Sequence, residues 1–298
     1  MKRRYIFIIL GILLIGFASV LFVDQPETEL NVTKNKQTET EKETDTTPNQ
    51  ETEKTEDAPS EEEKEAKEPV TQFQDIIGDA IQKTIDFFTG NKTHIVAIGD
   101  SLTQGVGDDV VDGGYVGILD KTLNKEDEVV TFENYGKRGN RSSQLLQRLE
   151  KKEIENSIRQ ADIVLITIGA NDIMKVMKEN ITDLNIKDFT QERTAFKERL
   201  KNIFDKINSL NDDTEIYLVG FYNPFEKYFK DIKELNMIVE NWNSTGKKVT
   251  GQYDNVSYIP TADLFSNANT DLFADDNFHP NHRGYQLMAE RILEHITH

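Results

Sequence analysis

The chain has 298 residues, which is long enough for one large domain or two small ones. Its 53 acidic and 35 basic residues give a net charge of −18, and this argues against nucleic-acid binding because the neutralisation of phosphates needs a basic surface. It contains no cysteine, which excludes disulfides, thiolate metal sites and a cysteine nucleophile.

The N-terminal segment, residues 1–23, is predicted to be a membrane-spanning signal anchor. Three basic residues at 2–4 precede nineteen uncharged residues, 5–23, which is close to the ~20 residues that cross a hydrocarbon core. A cleaved signal peptide is the alternative, although residues 18–20 match its small-residue cleavage site poorly. The basic residues are expected to stay in the cytoplasm, which places the following chain outside the cell membrane.

Residues 24–69 are predicted to be a disordered acidic linker. They include 16 acidic and 6 basic side chains but only four aliphatic ones, too little apolar surface to offset the entropy cost of ordering. A solvent-exposed helix over the Glu-rich residues 61–68 is the alternative. The linker would hold the following domain, residues 70–298, near the membrane surface but not flat against it.

The domain at 70–298 shows alternating helical and strand patterns. An amphipathic helix is expected at 73–88, where apolar residues recur at helical spacing. Short apolar runs, typical of buried strands, then alternate with further helices. The strands are predicted at 94–98, 129–133, 162–168, 215–219 and 256–259, and the helices at 115–124, 142–159, 190–209, 227–250 and 283–296. This order indicates an α/β fold, a doubly wound parallel sheet with helices on both faces.

Polar segments occupy the positions where a ligand site is expected. In an open α/β sheet the ligand crevice lies beyond the carboxyl ends of the strands. Three polar segments follow predicted strands at 99–105, 134–142 and 169–172, and a fourth lies near the C-terminus at 276–281. We expect all four to converge on one edge of the sheet.

These segments contain the groups that acyl transfer needs. Ser101 follows the first strand, and a serine hydroxyl becomes a good nucleophile when a base takes its proton. His279 is the candidate base, and Asp276 is the candidate for orienting it. The backbone N–H groups of Ser101 and Gly139, with the side-chain amide of Asn171, are candidates for an oxyanion hole.

Structural roles are the alternatives. Gly-Asp-Ser at 99–101 is also typical of a turn that caps a helix, and Asn171 or Asp172 could be the N-cap of a following helix. Residues 221–224, after the fourth strand, are candidates for lining an acyl or sugar site or for ordinary packing.

A metal site is a further alternative near the C-terminus. Asp276, His279 and His282 could bind a metal ion in a phosphoesterase. Pro280 interrupts the helix that would align such ligands, and the sequence offers no evident fourth ligand. We therefore expect neither a metal nor an organic cofactor.

The four polar segments resemble, in order, the four motif blocks of the SGNH hydrolases, also called the GDSL family of lipases and acylhydrolases. Residues 99–103, Gly-Asp-Ser-Leu-Thr, resemble the first block, whose serine is the nucleophile and one oxyanion donor. Gly139 falls where the second block has its oxyanion glycine, and Asn171 matches the asparagine of the third. Asp276 and His279 match the fourth block, whose histidine is the base.

The resemblance spans about residues 93–297 and implies a flavodoxin-like three-layer α/β/α sandwich with five parallel strands. One departure lies in the second block, which more often has small residues where Lys137 and Arg138 stand. These cations favour an anionic substrate or simply face solvent, and Gly136 is the alternative oxyanion glycine.

The sequence thus predicts a membrane-anchored, extracytoplasmic serine esterase, similar to a lysophospholipase or a short-acyl esterase. One alternative is a carbohydrate O-deacetylase that acts on cell-wall polysaccharide, and another is a non-catalytic surface module that binds glycans or a partner. The expected partners are an ester substrate and, through residues 5–23, the membrane. A monomer is expected.

Overall fold

Strands and helices alternate along the described part of the chain. The computed structural model describes residue 88 and residues 93–297 except 181, 225–232 and 267–270. The strands are β1 (Thr93–Gly99), β2 (Val130–Gly136), β3 (Ile163–Thr167), β4 (Glu215–Val219) and β5 (Val256–Ile259). The helices are α1 (Ser101–Gln104), α2 (Gly114–Leu123), α3 (Ser142–Arg148), α4 (Lys152–Ile158), α5 (Ala170–Glu179), α6 (Ile186–Leu210), α7 (Lys233–Thr250), α8 (Ala262–Phe265) and α9 (His282–Ile296).

The predictions for the N-terminal part of the chain concern residues that the structure does not describe. The predicted membrane helix at 5–23 and the linker at 24–69 lie outside the described residues. So does the helix predicted at 73–88, apart from Phe88, which is helical and buried. Within the described ranges, no helix combines the length and the apolar character needed to cross a bilayer.

The strands form one parallel sheet in the order β2-β1-β3-β4-β5. All five residues of β3 are buried, as expected for the centre of a sheet that is covered on both faces. Gly99, the last residue of β1, pairs with Gly136 of β2 and with Thr167 of β3. The carboxyl ends of these three strands therefore lie level with one another.

The strand order explains the layers. The chain leaves β1 toward β2, then returns past β1 to β3 and continues to β4 and β5. Because such crossovers are right-handed, α2 lies on one face of the sheet and the helices from α3 to α7 lie on the other. The packing agrees, since α9 packs against α2, while α6 contacts α3, α4, α5 and α7. The predicted three-layer α/β/α sandwich is thus confirmed for the described residues, and its strand order reverses between β1 and β3.

Two predicted bounds are wrong for identifiable reasons. The pattern predicts the second strand at 129–133, but β2 is a half-exposed edge strand that continues through the polar Asn134 to Gly136. The helix predicted at 142–159 is two helices, α3 and α4. Leu149 and Ile154 are both buried, and a spacing of five residues does not fit one helix face, so a break between them lets both reach the core.

Other differences are smaller. The helix predicted from 190 begins at Ile186, because the Asn185 side chain accepts a hydrogen bond from the Asp188 N–H and caps the helix earlier. The helix predicted at 227–250 is described from Lys233 onward, and its first residues lie outside the described ranges. The short helices α1 and α8 and the helix α5 are additions to the predicted set.

Candidate active site

Ser101 lies at the turn from β1 into α1. Gly99, just before the turn, packs so closely against β3 that a Cβ at this position would lie 2.3 Å from the Thr167 carbonyl oxygen. The Asp100 carboxylate caps α1 by accepting a hydrogen bond from the Leu102 N–H at 3.1 Å. The helix then ends after four residues at Gly105, whose φ of 85° is in the left-handed region that favours glycine. These constraints fix Ser101 at the first position of the helix, beyond the carboxyl end of β1.

A buried hydroxyl network lies beneath the nucleophile candidate. Thr167 donates a hydrogen bond from its Oγ1 to Asp100 Oδ1 at 2.8 Å. Thr103 Oγ1 lies 2.7 Å from Thr167 Oγ1 and 2.9 Å from the Tyr115 hydroxyl. Burial raises the pKa of Asp100 to about 7, although hydrogen bonds from Thr167 and Leu102 act in the opposite direction. The network links the ends of β1 and β3 directly under Ser101.

His279 and Asp276 are brought together as the sequence predicts. His279 Nδ1 lies 2.5 Å from Asp276 Oδ2, so the ring donates from Nδ1 and leaves Nε2 available as an acceptor. Asp276 Oδ1 accepts the backbone N–H groups of Phe278 at 3.0 Å and of His279 at 2.9 Å. The loop is closed by a bridge between Phe273 and Pro280, just before α9 begins.

The Asp276 carboxylate is held in its ionised form. Burial alone would raise the pKa of Asp276, but the hydrogen bond and the charge of His279 and the two backbone N–H groups outweigh it and lower the pKa to about 2. The side chain of His279 is almost fully buried, whereas that of Asp276 is 20% exposed. This pair can take up a proton at Nε2 and stabilise the resulting imidazolium.

Gly139 lies in the loop between β2 and α3, with a φ of 74° that favours glycine. Arg148 fixes this loop by donating to the Tyr135 carbonyl at 2.6 Å and to Asn140 Oδ1 at 2.8 Å. The alternative, Gly136, ends β2, where a Cβ would lie 2.1 Å from the Gln104 nitrogen. Gly139, and not Gly136, lines the cleft beside Ser101, whereas Gly136 packs closely against α1.

Asn171 lies in the first turn of α5, not at its N-cap, which is Gly169. Its Nδ2 donates to the Asn140 carbonyl at 3.1 Å, and a second amide hydrogen is left for another acceptor. The neighbouring Asp172 accepts hydrogen bonds from the backbone and hydroxyl of Ser142 at 3.0 and 2.7 Å. The starts of α3 and α5 are thereby held side by side.

One small cleft joins the candidates. It is lined by Ser101, Arg138, Gly139, Asn171, Met174, Phe278 and His279. The N–H groups of Ser101 and Gly139 have no acceptor among the described residues, so both can donate to a substrate oxygen. No hydrogen bond joins Ser101 Oγ to His279 across this cleft. In ligand-free sites such contacts are often long and shorten when the substrate binds.

The structure adds lining residues that the sequence did not single out. Met174, one turn after Asn171, and Phe278, next to His279, supply the apolar part of the cleft. In the sequence, only their nearness to Asn171 and His279 could have indicated these two residues. Residues 221–224, the other candidate lining, are buried in packing: the Tyr222 hydroxyl donates to the Phe278 carbonyl at 2.8 Å. This segment supports the histidine loop from behind.

His282 has a structural partner. Its Nδ1 lies 3.0 Å from Asp108 Oδ1, and its Nε2 lies 3.1 Å from Gln286 Nε2. Across the described ranges, no group of three or more metal-binding side chains is arranged around a common point. Asp276 and His279 pair with each other, and His282 pairs with a different carboxylate.

A five-stranded parallel sheet with a serine, a glycine, an asparagine and a histidine gathered at its edge is the arrangement of an SGNH-type hydrolase. The model of the GDSL-like lipase/acylhydrolase family matches residues 97–287. The chain belongs to this family, and it is a carboxylic ester hydrolase.

Individual relatives agree with this assignment. The chain is 37% identical to the uncharacterised protein YpmR of Bacillus subtilis (strain 168) over 215 residues, which cover 70% of this chain and 84% of YpmR. It is 24% identical over 207 residues to the spore germination lipase LipC of Bacillus licheniformis, with 66% and 92% covered. The lipase Lip_vut3 from a goat rumen metagenome shares the fold, with a TM-score of 0.60, 22% identity, and 67% and 96% covered.

Proposed function

We propose that the chain is a serine esterase in which Ser101 is the nucleophile and His279 is the general base. Asp276 orients the imidazole and stabilises its protonated form. The observation that carries the proposal is the hydrogen-bonded Asp276–His279 pair, whose ring lines the same small cleft as Ser101. The ionised Asp276 keeps the Nδ1–H tautomer in place, which directs the basic Nε2 toward the cleft.

In the first half of the reaction, Ser101 Oγ attacks the carbonyl carbon of the ester while His279 Nε2 takes the hydroxyl proton. The negative charge moves to the former carbonyl oxygen. The free N–H groups of Ser101 and Gly139 and the second amide hydrogen of Asn171 donate to that oxygen. When the tetrahedral intermediate collapses, the bond to the alcohol oxygen breaks, and the departing alcohol takes the proton from Nε2.

In the second half, a water molecule attacks the carbonyl carbon of the acyl-enzyme and gives a proton to His279 Nε2. The second intermediate uses the same oxyanion donors. Its collapse breaks the bond to Ser101 Oγ, which recovers the proton from Nε2, and releases the carboxylic acid. No step needs a cofactor.

The test compares Ser101→Ala with Ser209→Ala, the same change at an exposed serine of α6. With a short-chain aryl ester, Ser101→Ala is expected to lower kcat by about 10³-fold or more, and Ser209→Ala to leave it unchanged. Labelling by a fluorophosphonate probe should disappear in Ser101→Ala alone. Undiminished hydrolysis and labelling in Ser101→Ala would contradict the mechanism, and no activity in the unmodified chain would favour a binding module.

The substrate class is the second part of the proposal. Lipid esters are favoured by the similarity to the lipase LipC, and O-acetylated wall polysaccharide is the alternative. The apolar part of the cleft is formed by Met174 and Phe278, and the acyl group of either kind of ester would lie there. A panel of lysophospholipids and acetylated glycans, hydrolysed by the unmodified chain and by Ser101→Ala, separates the two classes.

We also propose that residues 5–23 anchor the enzyme in the cell membrane with its catalytic domain outside. The support is their uncharged run after three basic residues. The full chain should remain in carbonate-washed membranes and be digested by protease added outside protoplasts. A chain without residues 1–23 should be found in the soluble fraction. Release of the full chain by carbonate would contradict the anchor.

A further inference from the structure

Arg138 is a charged residue at the rim of the catalytic cleft that the proposed reaction does not use. It lies in the loop between β2 and α3, directly before Gly139, and lines the cleft together with Ser101 and His279. Its backbone N–H donates to Gln104 Oε1 at 2.6 Å, which fixes the main chain at this position. The residue itself is exposed. Arg138 is thus held beside the reacting groups with its side chain open to solvent.

The guanidinium of Arg138 has no partner within the part of the chain that the structure describes. Among the described residues it makes neither an ion pair nor a hydrogen bond, whereas Arg148, Arg199 and Arg291 are each paired with carbonyls or carboxylates. The chain has 53 acidic residues against 35 basic ones, so carboxylates are abundant. A guanidinium presents five N–H donors, and donors covered by a bound substrate need acceptors. In the free enzyme water accepts from this exposed guanidinium, and an anionic group of a bound substrate can replace that water.

The surroundings give the expected sign of the ligand charge. Among the described residues that line the cleft, Arg138 is the only arginine or lysine, and none is acidic. The Asp276 carboxylate does not line this cleft and is already bound to His279. Asp276 instead lines a different cleft beside α9, together with Asp108, Asp109 and Asp275. An anionic group can therefore approach Arg138 without facing an acidic side chain inside the cleft.

We propose that Arg138 determines specificity for esters that carry a phosphate group on the alcohol part, close to the bond that is cleaved. A phosphate fits because a guanidinium binds two of its oxygens at once. The acyl chain would lie toward Met174 and Phe278, and the alcohol part toward Arg138. This inference rests on the proposed function, since it places the ester carbonyl at Ser101.

The test uses two soluble substrates that differ only in the presence of the 3-phosphate group, 1-butyryl-glycerol 3-phosphate and 1-butyryl-glycerol. We expect kcat/KM to be at least about tenfold higher for the phosphate ester, with the difference mainly in KM, because each good charge-assisted contact is worth about a factor of ten. Arg138→Gln should reduce this preference about tenfold, and Arg138→Lys should retain part of it. Added salt should weaken the preference of the unmodified enzyme.

Lys137→Gln is the matched control, because Lys137 is the neighbouring exposed cation and does not line the cleft. It should keep the preference. A preference equal in Arg138→Gln and the unmodified enzyme, or no preference in the unmodified enzyme, would overturn the inference. Hydrolysis of the neutral ester that needs Ser101 would still support the proposed function, so the two failures are distinguishable.

A third substrate with a long acyl chain, 1-palmitoyl-glycerol 3-phosphate below its micellar concentration, separates the possible sources of the phosphate. Cleavage of this ester with the same dependence on Arg138 supports a lysophospholipid source. Cleavage of the short phosphate ester alone supports a soluble acylated phosphate. Both outcomes support an anionic substrate, and cleavage of neither phosphate ester in preference to the neutral one contradicts it.

Discussion

Two carboxyl groups near Ser101 have pKa values that their surroundings shift in opposite directions. Asp276 accepts hydrogen bonds from His279 and from two backbone N–H groups, and its pKa falls to about 2. Asp100 is 2% exposed, and burial raises its pKa to about 7. Paired carboxyls with divergent pKa values often have different tasks. Here Asp276 can stabilise the protonated form of the proposed base, His279, and Asp100 supports the turn that carries the proposed nucleophile, Ser101.

The raised pKa of Asp100 predicts how stability depends on pH. The folded state holds the Asp100 proton up to about pH 7, whereas the ordinary value of the group is 3.8. Its contribution to stability is therefore complete below pH 3.8 and is lost as the pH rises toward 7. Asp100→Asn keeps an acceptor for Leu102 and Thr167 but cannot ionise. It should be more stable than the unmodified chain at pH 8 by roughly 2–4 kcal/mol.

Urea denaturation at pH 4 and pH 8 checks this expectation. At pH 4 the advantage of Asp100→Asn should largely disappear, because the carboxyl of the folded state is then protonated and neutral as well. The pH 4 measurement thus serves as the control within one pair of proteins. A stability difference that does not change between the two pH values would contradict the assignment.

Three helices meet at a charge network that adjoins Asn171, one of the proposed oxyanion donors. Asp172 at the start of α5 accepts Ser142 from the start of α3, and Arg199 of α6 donates to both, to Ser142 Oγ at 2.6 Å and to Asp172 Oδ1 at 3.1 Å. Arg199 also pairs with Glu192. Burial raises the pKa of Asp172, and its bonds to Ser142 and the charge of Arg199 oppose the rise. The network holds the segments that carry Gly139 and Asn171 together.

Arg199→Leu should destabilise the fold, because it leaves the Asp172 carboxylate buried without its cation. We expect a loss of about 2–3 kcal/mol in the free energy of unfolding at neutral pH, less than for a fully buried pair because Arg199 is 19% exposed. The control is Arg193→Leu, the same change on the same helix at an arginine without an ion pair to any described residue, expected to cost less than about 0.5 kcal/mol. Equal losses would show that the network does not stabilise the molecule.

At the level of elements, the sequence predicted what depends on local pattern and missed what depends on contacts. Apolar runs located the five strands, and the polar segments after them located the cleft. The break between α3 and α4 and the continuation of β2 follow from burial against other elements, which a local pattern does not contain. Asn171 was predicted as an oxyanion donor or an N-cap. From the first turn of α5 its amide donates one hydrogen to the Asn140 carbonyl, and the second is left for the cleft.

At the scale of the whole molecule, the last helix, α9, is hydrogen-bonded to the loop that follows α1. Asp108 and His282 are 174 residues apart along the chain and bind each other at 3.0 Å. The Tyr285 hydroxyl donates to the Val106 carbonyl at 2.8 Å. The sequence offered a metal-ligand role for His282 as an alternative. In the structure its partner is instead Asp108, near the start of the domain. Such long-range pairs have no signal in spacing or composition.

Gly107, in the loop after α1, packs closely against the segment that contains His279 and Pro280. Its φ is 98°, and a Cβ there would lie 2.6 Å from the Pro280 carbonyl oxygen and 2.9 Å from the Cβ of His279. The loop that follows α1 therefore packs closely against His279, the proposed base, which is also held by its hydrogen bond to Asp276. Gly107→Ala should push the two segments apart and shift His279 away from Ser101.

We expect Gly107→Ala to lower kcat/KM by roughly 10–100-fold, because small displacements of reacting groups are costly, and to lower the free energy of unfolding by about 1–3 kcal/mol through backbone strain. Gly251→Ala is the control, since its nearest contact is the Lys247 carbonyl oxygen at 3.6 Å and its φ is not in the left-handed region. It should change neither quantity by much. If Gly107→Ala lost stability but kept full activity, the loop would support the fold without positioning the base. Loss of activity beyond the loss of folded protein, measured on the purified variant by active-site titration, is the result that assigns the positioning role to Gly107.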